Sequence, residues 1–150
     1  MELKIVESVL VCGIKVQTSL KSIMEFVGST PDRLMAELAA QGIKPTGAQI
    51  WQYTGCDGNP ETVFDLLICV PVEQRGQDRN GVAFLTLGSF RCACSMHEGS
   101  WNELGKAYEA LMGEMVKGGL TMTTASREVY HRCDFENPQN CLTEIQLEVK

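Results

Sequence analysis

The sequence predicts an α+β fold in which a tandem duplicated strand–helix–strand–strand module forms one antiparallel sheet with two helices on one face. Three observations point there: two well-signalled helices, a pair of β-rich stretches after each of them, and residue matches that recur at an offset of 77 along the chain.

Taken in order, residues 3–18 are rich in β-branched and apolar side chains without helical spacing (Ile5, Val6, Val9, Val11, Ile14, Val16) and read as one bent or bulged strand with Gly13 inside it. Residues 20–27 suggest a short helical piece. A helix then starts with Thr30 as N-cap, Pro31 at its first position and Asp32 near the positive end of its dipole, and Gly42 stops it after the stripe Leu34, Met35, Leu38. Strands at 49–54 and 62–70 flank the turn Gly55-Cys56-Asp57-Gly58-Asn59-Pro60, which makes a hairpin. The polar segment 73–81 reads as a linker between halves 1–72 and 82–150 of one domain, and 82–96 as a further long strand.

Ser100-Trp101-Asn102-Glu103 has the form of a capping box. It opens a helix over 101–117 whose Trp101, Leu104, Tyr108, Leu111, Met112 and Met115 share one stripe and whose end is marked by Gly118-Gly119. Strands at 125–132 and 142–149 close the chain.

The repeat shows in the residues themselves. Gly42 and Gly119, Ala48 and Ala125, Tyr53 and Tyr130, Cys56 and Cys133, and Asp57 and Asp134 are each 77 apart, and Asp65 and Glu144 are 79 apart after small insertions. Strand alternation puts Thr143, Ile145, Leu147 and Val149 toward the helices and Glu144, Gln146 and Glu148 away from them. The same count turns Phe64, Leu66, Ile68 and Val70 toward the helices and Asp65 away. Two such modules leave a groove on their pseudo-twofold axis. Asp65 and Glu144, with Trp51, Tyr53, Tyr130 and Trp101 around them, are the candidate site: carboxylates among aromatic rings suit a flat or apolar cation.

Composition narrows the function. With 44% hydrophobic and 21% charged residues, the 150-residue chain belongs among ordinary globular proteins, and 19 acidic against 13 basic residues give a net charge of −6 with no basic cluster, so nucleic acid is not an expected partner. No run of about 18 apolar residues spans a bilayer and no signal peptide opens the chain, so a cytoplasmic location without membrane contact is expected. Seven cysteines, an odd number, read as free and mostly buried thiols.

The stretch ending in His97-Glu98-Gly99-Ser100-Trp101 resembles the "His-x-Gly-Pro-aromatic" motif of the GyrI-like, or AraC-type effector-binding, domain. Arg127-Glu128-Val129-Tyr130 and Leu142-Thr143-Glu144-Ile145-Gln146-Leu147 are similar to two further signatures of that family, "Glu-Val-Tyr" and "Thr-Glu-Ile". Ser100 replaces the usual proline, and Glu148 stands where a proline is common. The resemblance implies that Glu144 is the central pocket carboxylate, which in multidrug-sensing relatives faces lipophilic cations, and that Tyr130 and Trp101 are pocket walls. Trp51, Tyr53 and Asp65 rest on the repeat and on strand parity.

Many relatives carry this domain behind a DNA-binding segment. Here the two modules take up all 150 residues, so a free-standing binder of hydrophobic, cationic or aromatic small molecules is expected. The resemblance also implies an alternative, since some free-standing members are similar to hydrolases of reactive cyclopropane-containing compounds: the same groove with Glu144 as the base, if burial raises its pKa. A protein-interaction or inhibitor module that engages a partner protein is third, and a homodimer is left open as well. No cofactor is implied. Cys92-x-Cys94-x-x-His97 is too tightly spaced and of mixed strand parity for a metal site, so metal is expected to be absent.

Overall fold

The computed structural model describes residues 1–150. Eight strands form one sheet: β1 (Glu2–Val6), β2 (Val9–Ser19), β3 (Gln49–Thr54), β4 (Val63–Pro71), β5 (Ala83–Leu87), β6 (Phe90–Glu98), β7 (Met122–Arg132) and β8 (Leu142–Val149), in the spatial order β1-β6-β8-β7-β3-β4-β2-β5. Every neighbouring pair is antiparallel. The helices are α1 (Ile23–Val27), α2 (Thr30–Ala40) and α3 (Leu104–Lys117).

The order is symmetric about the β7–β3 contact. Strands β3, β4 and β2 of the first half match β7, β8 and β6 of the second, and the outermost strand on each side comes from the other half: β1 pairs with β6, and β5 pairs with β2. Two single strands expected from the sequence are therefore double. Residues 3–18 divide into β1 and β2, and 82–96 into β5 and β6, each broken by two residues that leave the ladder, Glu7 and Ser8 in one case and Gly88 and Ser89 in the other.

Those short links bend the sheet. They join strands six positions apart, which a flat sheet would hold about 29 Å from each other at the usual interstrand spacing. Three virtual bonds span at most about 11 Å, so the sheet must curl until its ends approach. The convex side carries the helices. On the concave side Val11, Ile50, Leu67, Cys69 and Leu87 form one apolar cluster, and Phe90, Cys92 and Cys94 another.

On the convex side α2 buries Leu34 and Leu38, one turn apart, against Phe64, Leu66, Ile68 and Val70, while α3 buries Leu111 and Met115 against Ile145, Leu147 and Val149. Each fully buried leucine contributes about 1.5–3 kcal/mol. The helix-facing sets of β4 and β8 are those that strand alternation predicts. Both helices end in the same way: the Ile43 N–H bonds to the Leu38 carbonyl at 3.0 Å and the Leu120 N–H to the Met115 carbonyl at 2.9 Å, with Gly42 at φ 69° and Gly119 at φ 70°. A side chain there would meet the left-handed penalty, which is why the repeat keeps glycine at both positions.

Helix starts differ slightly from expectation. Ser29 is the N-cap of α2, and Thr30 is its first residue. Ser100 does cap, its Oγ accepting from the Asn102 N–H at 3.2 Å, but it opens a 3₁₀ turn over Trp101–Glu103 that leads into α3, and Glu103 turns to Lys106 at 3.0 Å. No helix is long and apolar enough to cross a membrane.

Candidate functional site

The register across the centre of the sheet decides which side chains meet. Trp51 on β3 stands opposite Glu128 on β7, flanked by the pairs Gln49 with Tyr130 and Tyr53 with Ser126. Glu128 is also opposite Ile145 of β8, which packs under α3, so all these residues point to the convex, helix-bearing face. Residues 51 and 128 are 77 apart, the offset of the repeat, and they are direct cross-strand partners. The pseudo-twofold axis thus runs between Trp51 and Glu128, with Tyr53 and Tyr130 as symmetric neighbours.

Glu128 is 7% exposed and holds the centre of a tyrosine cluster. Its Oε1 accepts from the hydroxyl of Tyr130 at 2.6 Å and of Tyr53 at 3.3 Å, and its Oε2 accepts from the hydroxyl of Tyr108 on α3 at 2.5 Å. Burial, and after it the Glu128 charge, pushes all three phenols well above the ordinary value of 10, so they stay protonated and act as donors. No lysine, arginine or histidine forms an ion pair with this carboxylate.

A cavity of about 850 Å³ opens over Glu128, between α3 and the β3–β4 turn. Tyr53, Tyr108, Leu104, Met112 and Cys56 supply an apolar wall with the buried Glu128 at its base, and the exposed Asp57 and Glu109 add two more carboxylates to the lining. Beside it lies an aromatic cluster: Trp51 meets Tyr130 edge-on with centroids 5.4 Å apart, Trp101 meets Tyr130 edge-on at 6.4 Å, and Trp101 meets Phe135 at 5.4 Å. Phe135 is 81% exposed. The indole N–H groups are occupied, that of Trp101 by Thr143 Oγ1 at 3.2 Å and that of Trp51 by Gln49 Oε1 at 2.6 Å.

The six residues singled out from the sequence therefore separate. Tyr53, Trp51, Tyr130 and Trp101 gather around a carboxylate on the helix face, and that carboxylate is Glu128. Glu144 and Asp65 lie on the opposite face, as their strand parity requires, and the sheet stands between them and the aromatics. Asp65 is exposed and accepts from Gln17 Nε2 at 2.9 Å. Glu144, 6% exposed, is already neutralised: Lys4 Nζ approaches Oε2 at 2.6 Å, Gln146 Nε2 donates to Oε2 at 2.8 Å, and His131 Nε2 is 2.9 Å from Oε1. Burial works to raise its pKa, but the bonds from Lys4, Gln146 and His131 outweigh it and hold the carboxyl below the usual range. Glu128, Tyr108 and Phe135 were not singled out from the sequence. For Glu128 the signal was there, because it stands two residues before Tyr130 on one strand and must share its face.

Comparison with curated protein sequences gave no match. A family model described as a GyrI-like small molecule binding domain matches residues 1–150. Among solved structures, the EcmrR C-terminal domain superposes with a TM-score of 0.81 at 21% identity, covering 99% of this chain and 96% of that one. EcmrR in its DNA complex gives 0.84 at 20% identity; there this chain spans 56% of the longer protein. SAV2435 bound to tetraphenylphosphonium gives 0.73 at 16% identity, covering 99% and 93%. At these identities the likeness is one of fold.

Proposed function

The chain belongs to the GyrI-like small-molecule-binding family, and from that premise we propose that its ligand is a lipophilic organic cation seated over Glu128 on the helix face. One observation carries this reading: a buried carboxylate that three tyrosine hydroxyls orient and no cation of the protein neutralises. A buried charge without a counter-ion is costly, and a ligand that brings the opposite charge recovers that cost on binding. Tyr53 and Tyr108 contact the ligand from the cavity wall, and Trp51, Tyr130 and Trp101 extend the aromatic surface. The cavity lies within the roughly 300–1,000 Å³ typical of small-molecule sites. The tetraphenylphosphonium bound to SAV2435 supports the same class of ligand.

Tryptophan fluorescence during titration with tetraphenylphosphonium tests the proposal. Glu128→Gln is expected to weaken binding at least about tenfold, equivalent to ~1.4 kcal/mol, and Glu144→Gln to leave it unchanged. Equal affinity in wild type and Glu128→Gln overturns the reading.

A further inference from the structure

A second cavity, of about 620 Å³, opens on the concave face of the sheet, behind the site just described. Its floor is a cross-strand row: Lys15 on β2 faces Leu67 on β4, Leu67 faces Gln52 on β3, and Gln52 faces Arg127 on β7. Arg127 is the residue before Glu128, so alternation sends the two charges to opposite faces.

Arg127 is only 5% exposed. Its Nε donates to Gln52 Oε1 at 2.8 Å and its Nη2 to the Gly88 carbonyl at 2.9 Å, while the guanidinium carbon sits 4.0 Å from the centre of the Phe90 ring. Both acceptors are neutral, and no carboxylate forms an ion pair with it. A guanidinium has five N–H donors in a planar fork that matches a carboxylate; here Nη1 makes no hydrogen bond within the chain.

Two acids also line the cavity wall, each hydrogen-bonded by a neutral donor, Asp65 by Gln17 Nε2 at 2.9 Å and Glu148 by Thr123 Oγ1 at 2.6 Å, and neither forms an ion pair with Arg127 or Lys15. Lys15, exposed and without an ion pair, stands at the other end of the row. Three interstrand steps separate it from Arg127, about 14 Å between backbones, and both side chains line the same cavity. Between them the floor is Leu67 and Gln52, with Leu87 in the same apolar cluster as Leu67, and both leucines are buried.

We propose that this cavity binds a small organic carboxylate, its head held by the Arg127 guanidinium and the Lys15 ammonium and its apolar body resting on Leu67 and Leu87. The site is independent of the cation site, because the sheet lies between them.

Ligand-observed NMR and calorimetry on the full chain, with sodium benzoate and sodium hexanoate as probes, test this. Benzamide serves as the uncharged control and inorganic phosphate as the other oxyanion. Both carboxylates are expected to bind and benzamide not to. Lys15→Gln, an exposed substitution, is expected to weaken binding about threefold to fivefold. Arg127→Gln is expected to abolish it, and Glu128→Gln to leave it unchanged while tetraphenylphosphonium binding falls. The proposal is overturned if neither carboxylate binds, if benzamide binds as well as benzoate, if only phosphate binds, or if Lys15→Gln has no effect. Because Lys15 lies at the rim, that last result decides the matter even where Arg127→Gln fails to fold.

Discussion

Glu128 and Glu144 are buried to nearly the same extent, at 7% and 6% exposed, and differ in what neutralises them. Glu144 has an ammonium and an imidazole within reach, and its depressed pKa makes it a stabilising group. A carboxyl of this kind contributes stability above its unfolded pKa and loses it as the pH falls through the lower folded value. The stability gap between wild type and Glu144→Gln is therefore expected to be full at neutral pH, to begin closing near the ordinary carboxyl value of 4.5, and to vanish at lower pH. Thermal unfolding across that range measures it; a gap that persists in strong acid contradicts the account. Lys4, raised by the same contact, keeps its share below 10.5 and loses it only as the pH rises through its higher folded value. Glu128 has hydroxyl donors alone, so removing its charge relieves the unliganded protein. Glu128→Gln is expected to raise the unfolding midpoint by about 2–4 °C for each kcal/mol relieved, while it loses the cation. A lower midpoint would argue that the carboxylate is structural. That Trp51, Tyr53, Tyr130 and Trp101 gather in one place is legible from residue types and the repeat. That Glu128 is the carboxylate these rings surround is legible only from its strand parity with Tyr130, and the family motif points instead to Glu144 on the other face.

Gly13 lies inside β2, the longer of the two strands into which 3–18 divides, and its role differs from the bulge the sequence suggests. The pairing of β2 with β4 runs from Val11 to Ser19 without a shift, so Gly13 is not at a bulge. It marks a close approach: a Cβ there would lie 2.8 Å from the Cβ of Cys69 and 2.8 Å from Cδ1 of Leu67. Gly13→Ala is expected to cost about 1–3 kcal/mol in urea unfolding, since neither neighbour can move far within the concave cluster, and a neutral result would contradict that packing. Ahead of α3 the vulnerable point is the cap of the 3₁₀ turn, with Ser100→Ala expected to cost about 1 kcal/mol. Helix and strand positions were legible because periodicity is local. The breaks at residues 7–8 and 88–89 were not, because both sides of each break have strand composition and only the long-range pairing of β1 with β6 and β5 with β2 separates them.

At the scale of the whole molecule, the exchange of outer strands makes each half depend on the other. The segment 82–150 contains β6, α3, β7 and β8 but lacks the β1 that covers β6, and the first half lacks β5. Fragments 1–80 and 81–150, cut in the turn at Asn80, are expected to be unfolded alone and to recover native circular dichroism when mixed. A fragment that unfolds cooperatively by itself contradicts this dependence. The same architecture brings a duplicated strand pair together on the axis, one copy keeping Trp51 where the other keeps Glu128, so a buried carboxylate sits in a nearly symmetric aromatic setting. Whether a cation occupies that setting can be seen directly. A crystal of the protein soaked with tetraphenylarsonium, whose arsenic is an anomalous scatterer, is expected to show a peak on the helix face within about 6 Å of the Glu128 carboxylate or its tyrosine rings. A peak on the concave face beside Glu144, or none at saturating ligand, would contradict the account.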